Sequence, residues 1–179
     1  MSIVHHQPTF LPFCRFLEKL LQNVATKRYH SQILRFLNLD SLRLLLVEKD
    51  SDDEFLIVDA LRSAGFEGAI DIAHDGAEAL EYLFASDRRS ASNPRLILLG
   101  SSIDGLSVTE VLIRVREQSQ TKLIPVVIFG SFLEQSEIRD CYLAGASSYV
   151  GRPAEFDQFV QAVQAIGTYW LALNKLPVD

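Results

Sequence analysis

The sequence predicts a doubly wound α/β domain, and three observations predict it. Short apolar runs of strand length recur along the chain: Leu44-Leu45-Leu46-Val47, Ala69 to Ala73, Leu96-Ile97-Leu98-Leu99, Val126-Val127-Ile128-Phe129 and Ser148-Tyr149-Val150. Each is followed by a stretch whose apolar residues fall at helical spacing. Turn and cap residues, among them Gly65, Asp75-Gly76 and Gly145, separate the two kinds of segment. Continuous apolar runs suit strands buried on both faces, so the sheet is expected to be parallel with helices on either side. Right-handed crossovers leave few topologies, and the flavodoxin-like order 2-1-3-4-5 is the expected one.

The elements follow in order. The first strand ends in Glu48-Lys49-Asp50. Asp52 or Asp53 is expected to cap the next helix, whose apolar positions include Phe55, Leu56, Val58, Ala60 and Leu61 and whose stop is Gly65. The second strand leads through Asp75-Gly76 into a helix ending near Phe84, and the polar residues 86–93 read as loop. After the third strand a helix runs from about Ser107 to Glu117. Pro125 opens the fourth strand, and a helix from about Leu133 to Ala144 is closed by Gly145. A last helix extends from Ala154 to about Leu173.

Composition bounds the function. With 179 residues, 48% hydrophobic and 22% charged, the chain reads as one globular domain over 41–179 preceded by an appendage, 1–40. A net charge of −6 argues against nucleic-acid binding, which needs clustered Lys and Arg. Residues 1–40 differ, carrying Arg15, Lys19, Lys27, Arg28 and Arg35 against Glu18 and Asp40. Cys14 and Cys141 make no metal spacing and read as reduced thiols. No apolar stretch approaches the ~20 residues that span a bilayer, and the amino end lacks the order of a secretory signal. A cytoplasmic location is expected.

Within residues 1–40, Phe10, Phe13, Cys14, Leu17, Leu20, Leu21 and Val24 fall at helical spacing, with Ile33, Leu34 and Leu37 following. This predicts an N-terminal helical extension. Packing on the domain's own surface, dimerisation, partner docking and membrane-surface binding all remain open for it.

In folds of this kind, chemistry sits at the carboxyl ends of the strands. Gly100, at the end of the third strand, has no side chain to act as nucleophile, acid, base or metal ligand. The segments LRLLLVEKDSDDEFLI, LILLG, DGLSVTEVLIRVRE, IPVVIFGS and LAGASSYVGRPAEF, in this order, resemble the receiver domain of two-component response regulators over about residues 41–173. The ending IGTYWLALNKLP is similar to that of cyanobacterial phytochrome-associated single-domain regulators.

The resemblance implies a phosphorelay pocket. Its parts are a carboxylate nucleophile after the third strand, two acids after the first that hold Mg²⁺, a Thr or Ser after the fourth, and a Lys after the fifth. Here Glu48 keeps the first acid, but Lys49 replaces the second, Gly100 the nucleophile, Gly130 the hydroxyl residue (with Ser131 adjacent) and Arg152 the lysine. The loop Ser101-Ser102-Ile103-Asp104-Gly105 is also shorter than the usual form. The pocket is therefore degenerate, with no catalytic residue, metal ligand set or cofactor site. A salt bridge from Glu48 to Lys49 or Arg152 is expected in place of Mg²⁺. Asp104 is expected to cap the third helix, and the cluster Asp50, Asp52 and Asp53 to be a solvated helix cap.

The resemblance also implies a cis bond at Arg152-Pro153 and a switch aromatic at Tyr149, here expected to keep one rotamer or simply to pack the partner face. Its expected interaction face comprises Phe132, Leu133, Tyr149, Phe156, Phe159 and Val160. A sensor histidine kinase, another regulator or a second copy would dock there, so the chain is expected to be a non-enzymatic pseudo-receiver whose output is contact. Two other readings stay open. One is a receiver phosphorylated at an unusual site. The other is a small flavodoxin-like enzyme, which is disfavoured because Glu48-Lys49-Asp50-Ser51 is no phosphate-cradling loop.

Overall fold

A computed structural model of the chain describes residues 42–85, 93–131 and 134–177. The N-terminal extension, Cys14, Phe132 and Leu133 lie outside the described residues. Strands β1 (Arg43–Val47), β2 (Ala69–Ala73), β3 (Leu96–Gly100), β4 (Val126–Gly130) and β5 (Ser148–Gly151) form one sheet in the order β2-β1-β3-β4-β5. Every pairing is parallel, as the unbroken apolar runs require. The helices are α1 (Ser51–Ser63), α2 (Gly76–Phe84), α3 (Val108–Glu117), α4 (Gln135–Leu143) and α5 (Phe156–Gly167). The last continues into a π-helical segment, Thr168–Leu173.

Alternation along the strands divides the core in two. Leu45, Val47, Ile97, Leu99 and Ile128 pack with Leu80, Val111, Leu112 and Cys141 of α2, α3 and α4. Leu44, Leu46, Leu98 and Phe129 pack with Ile57, Leu61, Phe159 and Val163 of α1 and α5. Burying each such aliphatic side chain stabilises the fold by about 1.5–3 kcal/mol. Burial also pushes the Cys141 thiol up from its ordinary pKa, so it stays a neutral packing group.

The helix ends depart from expectation at two places. Asp50, not Asp52 or Asp53, caps α1: its carboxylate accepts from the N–H groups of Asp52 (2.9 Å) and Asp53 (3.1 Å). Asp52 and Asp53 instead lie in the first turn, where the helix dipole favours negative charge. Asp104 does not cap α3. Ser107 does, in a reciprocal box with Glu110: the Ser107 hydroxyl accepts from the Glu110 N–H at 3.3 Å, and the Glu110 carboxylate accepts from the Ser107 N–H at 2.8 Å. The predicted stops hold, since Gly65 (φ 89°) and Gly145 (φ 104°) adopt the left-handed conformation that ends a helix. No described helix is long and apolar enough to cross a membrane.

Candidate functional site

Parallel strands bring Glu48, Gly100, Gly130 and Arg152 together at one end of the sheet. Glu48 follows β1 and is buried, 5% exposed, with its N–H on the Ala73 carbonyl at 3.0 Å. Its Oε2 accepts from Arg152 Nη2 at 2.6 Å and its Oε1 from the Asp50 N–H at 3.1 Å. Arg152 Nη1 donates to the Asp53 carboxylate on α1. The guanidinium therefore links the end of β5 to the end of β1 and the start of α1. Below it lie Phe129 and Phe159, with ring centroids 5.3 and 5.9 Å from the guanidinium carbon. Those rings meet edge to face at 5.4 Å. One cation is thus held between two carboxylates and an aromatic floor, a setting that suits the weakly hydrated guanidinium better than an ammonium.

The expected bridge is therefore the one from Glu48 to Arg152, and Lys49 takes no part in it. Lys49 Nζ lies 3.0 Å from Asp104 Oδ1 at the exposed rim. Asp104 also pairs with Asp75 as an isolated bridge between loops, which keeps it away from the start of α3. Nearby, His74 sits between Glu54 (3.4 Å) and Glu78 (3.2 Å).

The two glycines have different surroundings. A Cβ on Gly100 would lie 3.1 Å from the Val47 carbonyl oxygen and 3.2 Å from Glu48 Oε2, so a side chain there contends with Glu48 in its Arg152-paired position. A Cβ on Gly130 would lie 1.8 Å from Ser101 Oγ and 2.2 Å from Ser101 Cβ. The Ser101 side chain therefore fills the volume that a residue after β4 would use. Sequence reasoning missed this exchange. The signal was the register: Gly100 pairs with Phe129, which brings Ser101 beside Gly130.

Tyr149 is half-buried against the first core, and its hydroxyl donates to the Ser131 carbonyl at 2.5 Å. Its N–H donates to the Tyr142 hydroxyl at 3.1 Å. The expected cis bond is corrected, since every described peptide bond is trans, Arg152–Pro153 included. Trans is the lower-energy isomer by about 0.5–1 kcal/mol before proline. With it, the Arg152 N–H continues the β4–β5 pairing onto the Gly130 carbonyl at 2.7 Å.

Of the expected interaction face, Phe159 does not lie at the surface. Phe159 is a core residue, 5% exposed, because its i, i+4, i+7 partners Val163 and Ile166 turn the same side inward. Val160 is half-buried against the second core, while Phe156 is 59% exposed. Tyr142 and Leu143, which the sequence did not single out, are exposed on α4 beside β5.

The residues at this site do not fit the Mg²⁺ that the resemblance implies. Both Glu48 oxygens are engaged, Lys49 puts an ammonium where a second acid would stand, and Gly100 offers no ligand. Among the described residues no group of three or more His, Cys, Asp or Glu is arranged to hold a metal ion.

No protein-family model matches the chain. Among curated proteins it is similar to the probable methanogenesis regulatory protein FilR2 of Methanothrix harundinacea, with 31% identity over 138 residues, 77% of this chain and 89% of that protein. It is also similar to the response regulator Rcp1 of Synechocystis, with 25% identity over 135 residues, 75% of this chain and 92% of that protein. Among solved structures, the phosphorylated cyanobacterial phytochrome response regulator RcpA aligns with a TM-score of 0.71 at 30% identity, over 76% of this chain and 99% of that one. A response regulator receiver domain from Rhodospirillum rubrum aligns with a TM-score of 0.70 at 31% identity, over 76% and 97% of the two chains.

Proposed function

The chain belongs to the response regulator receiver family of two-component signalling, and on that premise we propose that it is a pseudo-receiver, which signals by protein–protein contact and takes no phosphoryl group on an aspartate. The observation that carries this reading is the Arg152 guanidinium lodged between Glu48 and Asp53 beside a glycine. Phosphoryl transfer to a receiver needs a carboxylate to form the new bond, and Gly100 has none. It also needs an uncommitted cation to meet the incoming charge. Arg152 is already outnumbered by two carboxylates, and like charges at 4 Å repel by roughly 4 kcal/mol at an effective dielectric near 20.

Output then rests on a surface. Tyr142 and Leu143 of α4, Tyr149 of β5 and Phe156 of α5 supply apolar contact area around the strand that Arg152 closes. The likeness to a phytochrome response regulator makes a sensor histidine kinase the first partner to test, followed by another regulator or a second copy. The protein acts in the cytoplasm and is not an enzyme in this reading.

Incubation of the whole chain with acetyl phosphate and Mg²⁺, followed by intact-mass measurement, tests it. The expected result is an unmodified mass and a melting temperature that does not move with Mg²⁺. A hydroxylamine-sensitive phosphate adduct, or beryllofluoride and Mg²⁺ found beside Glu48, overturns it.

A further inference from the structure

The opposite end of the sheet, where the strands begin, carries exposed apolar side chains. Tyr169 and Leu173 of the π-helical segment are each 52% exposed, and Leu123, in the loop that leads to β4, is 58% exposed. The π-helical winding buries Leu171 and Ala172 while directing Tyr169 outward. Trp170 is half-buried beside it, its ring meeting Tyr169 edge to face at 5.0 Å.

One residue ties this patch to the start of the domain. The Arg95 N–H donates to the Arg43 carbonyl at 2.7 Å, and its guanidinium Nη2 donates to the Asn174 carbonyl at 2.7 Å. Residue 42 is thus delivered to the sheet next to the residue that follows Leu173. Residue 42, the first described, enters the domain at this corner.

From this juxtaposition we propose that residues 10–24 dock intramolecularly on the Tyr169–Trp170–Leu173 patch. Phe10, Phe13, Leu17, Leu20, Leu21 and Val24, spaced along one helical face, supply the apolar side. Residues 25–41 extend to roughly 55 Å, so reach does not limit docking. A tethered segment acts at an effective concentration of about millimolar, which a free second copy would have to exceed to displace it.

Trp170 is the chain's only tryptophan, so its fluorescence reads the patch directly. In the full chain, Phe13→Asp with Leu17→Asp is expected to increase acrylamide quenching of Trp170 and shift its emission to the red, with the mass remaining monomeric. A second measurement does not depend on that variant. In full-length Leu173→Cys, mild oxidation is expected to link the new thiol to Cys14 within one chain, while the buried Cys141 stays reduced. Unchanged quenching together with no intrachain link overturns the proposal. Protection of Trp170 that disappears on dilution, with the mass of a dimer above that point, also overturns it and assigns the patch to a second copy.

Discussion

An enclosed charge cluster and a rim ion pair stand at the carboxyl end of the sheet, and they differ in what surrounds them. The Glu48–Arg152–Asp53 cluster is enclosed, with side chains 6%, 21% and 29% exposed and two aromatic rings beneath. The Lys49–Asp104 pair stands at the rim, 40% and 76% exposed. The formal chemistry is the same, an amine or guanidinium against a carboxylate. Solvent makes them unequal. At the rim, water satisfies each partner alone, and the contact is worth about 0–1 kcal/mol. In the enclosed cluster, removing one partner leaves the other buried and uncompensated.

The comparison is broken most directly at Arg152. Arg152→Ala leaves the Glu48 carboxylate buried with one backbone N–H, and a stability loss of about 3 kcal/mol is expected in urea denaturation. Arg152→Lys is expected to recover only part of it, because a point charge cannot reach both carboxylates in a fork. A loss below 0.5 kcal/mol for Arg152→Ala would place this cluster with the rim pair.

The next largest effect is expected at Gly130. Gly130→Thr drives its Cβ into Ser101, 1.8 Å from Oγ, and overpacking of this kind costs about 1–3 kcal/mol. Combining it with Ser101→Gly should return only part of that loss, because the Ser101 backbone N would still lie 2.8 Å from the new Cβ, and a double-mutant cycle measures the coupling. Additive losses would show that the two positions do not share one volume.

On the exposed side, energy is expected in the helix cap rather than in the ion pair. Ser107→Ala should cost about 1 kcal/mol in thermal or urea denaturation. Hydrogen bonds from the Ser107 side chain and N–H hold the Glu110 carboxyl below the usual carboxylate range. A carboxyl with a lowered folded-state pKa stabilises above its unfolded value and loses that contribution as pH falls through the folded one. The difference between Ser107→Ala and the parent should therefore narrow in acid. Lys49→Ala, the smallest change, should stay within about 0.5 kcal/mol, and that difference should shrink as salt is added.

The fold was legible because a strand buried on both faces leaves an unbroken apolar run. Leu44–Val47, Leu96–Leu99 and Val126–Phe129 all proved fully buried. Two ends were read wrongly where several groups competed for one role. Asp50, Asp52 and Asp53 are all competent caps, and only backbone geometry selects Asp50. Asp104 precedes a better cap, Ser107, whose Glu110 completes the box.

At the site, a bridge from Glu48 to Lys49 or Arg152 was expected because both cations fall at pocket positions of the receiver pattern, and the Arg152 one is formed. The second carboxylate, Asp53, was not expected, since it reaches Arg152 across a separation of 99 residues from a helix turn that the sequence assigned to solvent. Phe159 was misplaced because an aromatic in a helix's second turn was counted as surface, although its spacing with Val163 and Ile166 points it to the core.

The Ser101 side chain that occupies the space beside Gly130 has a consequence for how the two loops can be altered. A side chain at position 130 would place its Cβ within 2.8 Å of Ser101 Oγ, Cβ and N, so that seat can be filled only if the loop after β3 gives way with it. The two loops are therefore fitted to each other, and neither can be re-equipped with a larger residue on its own.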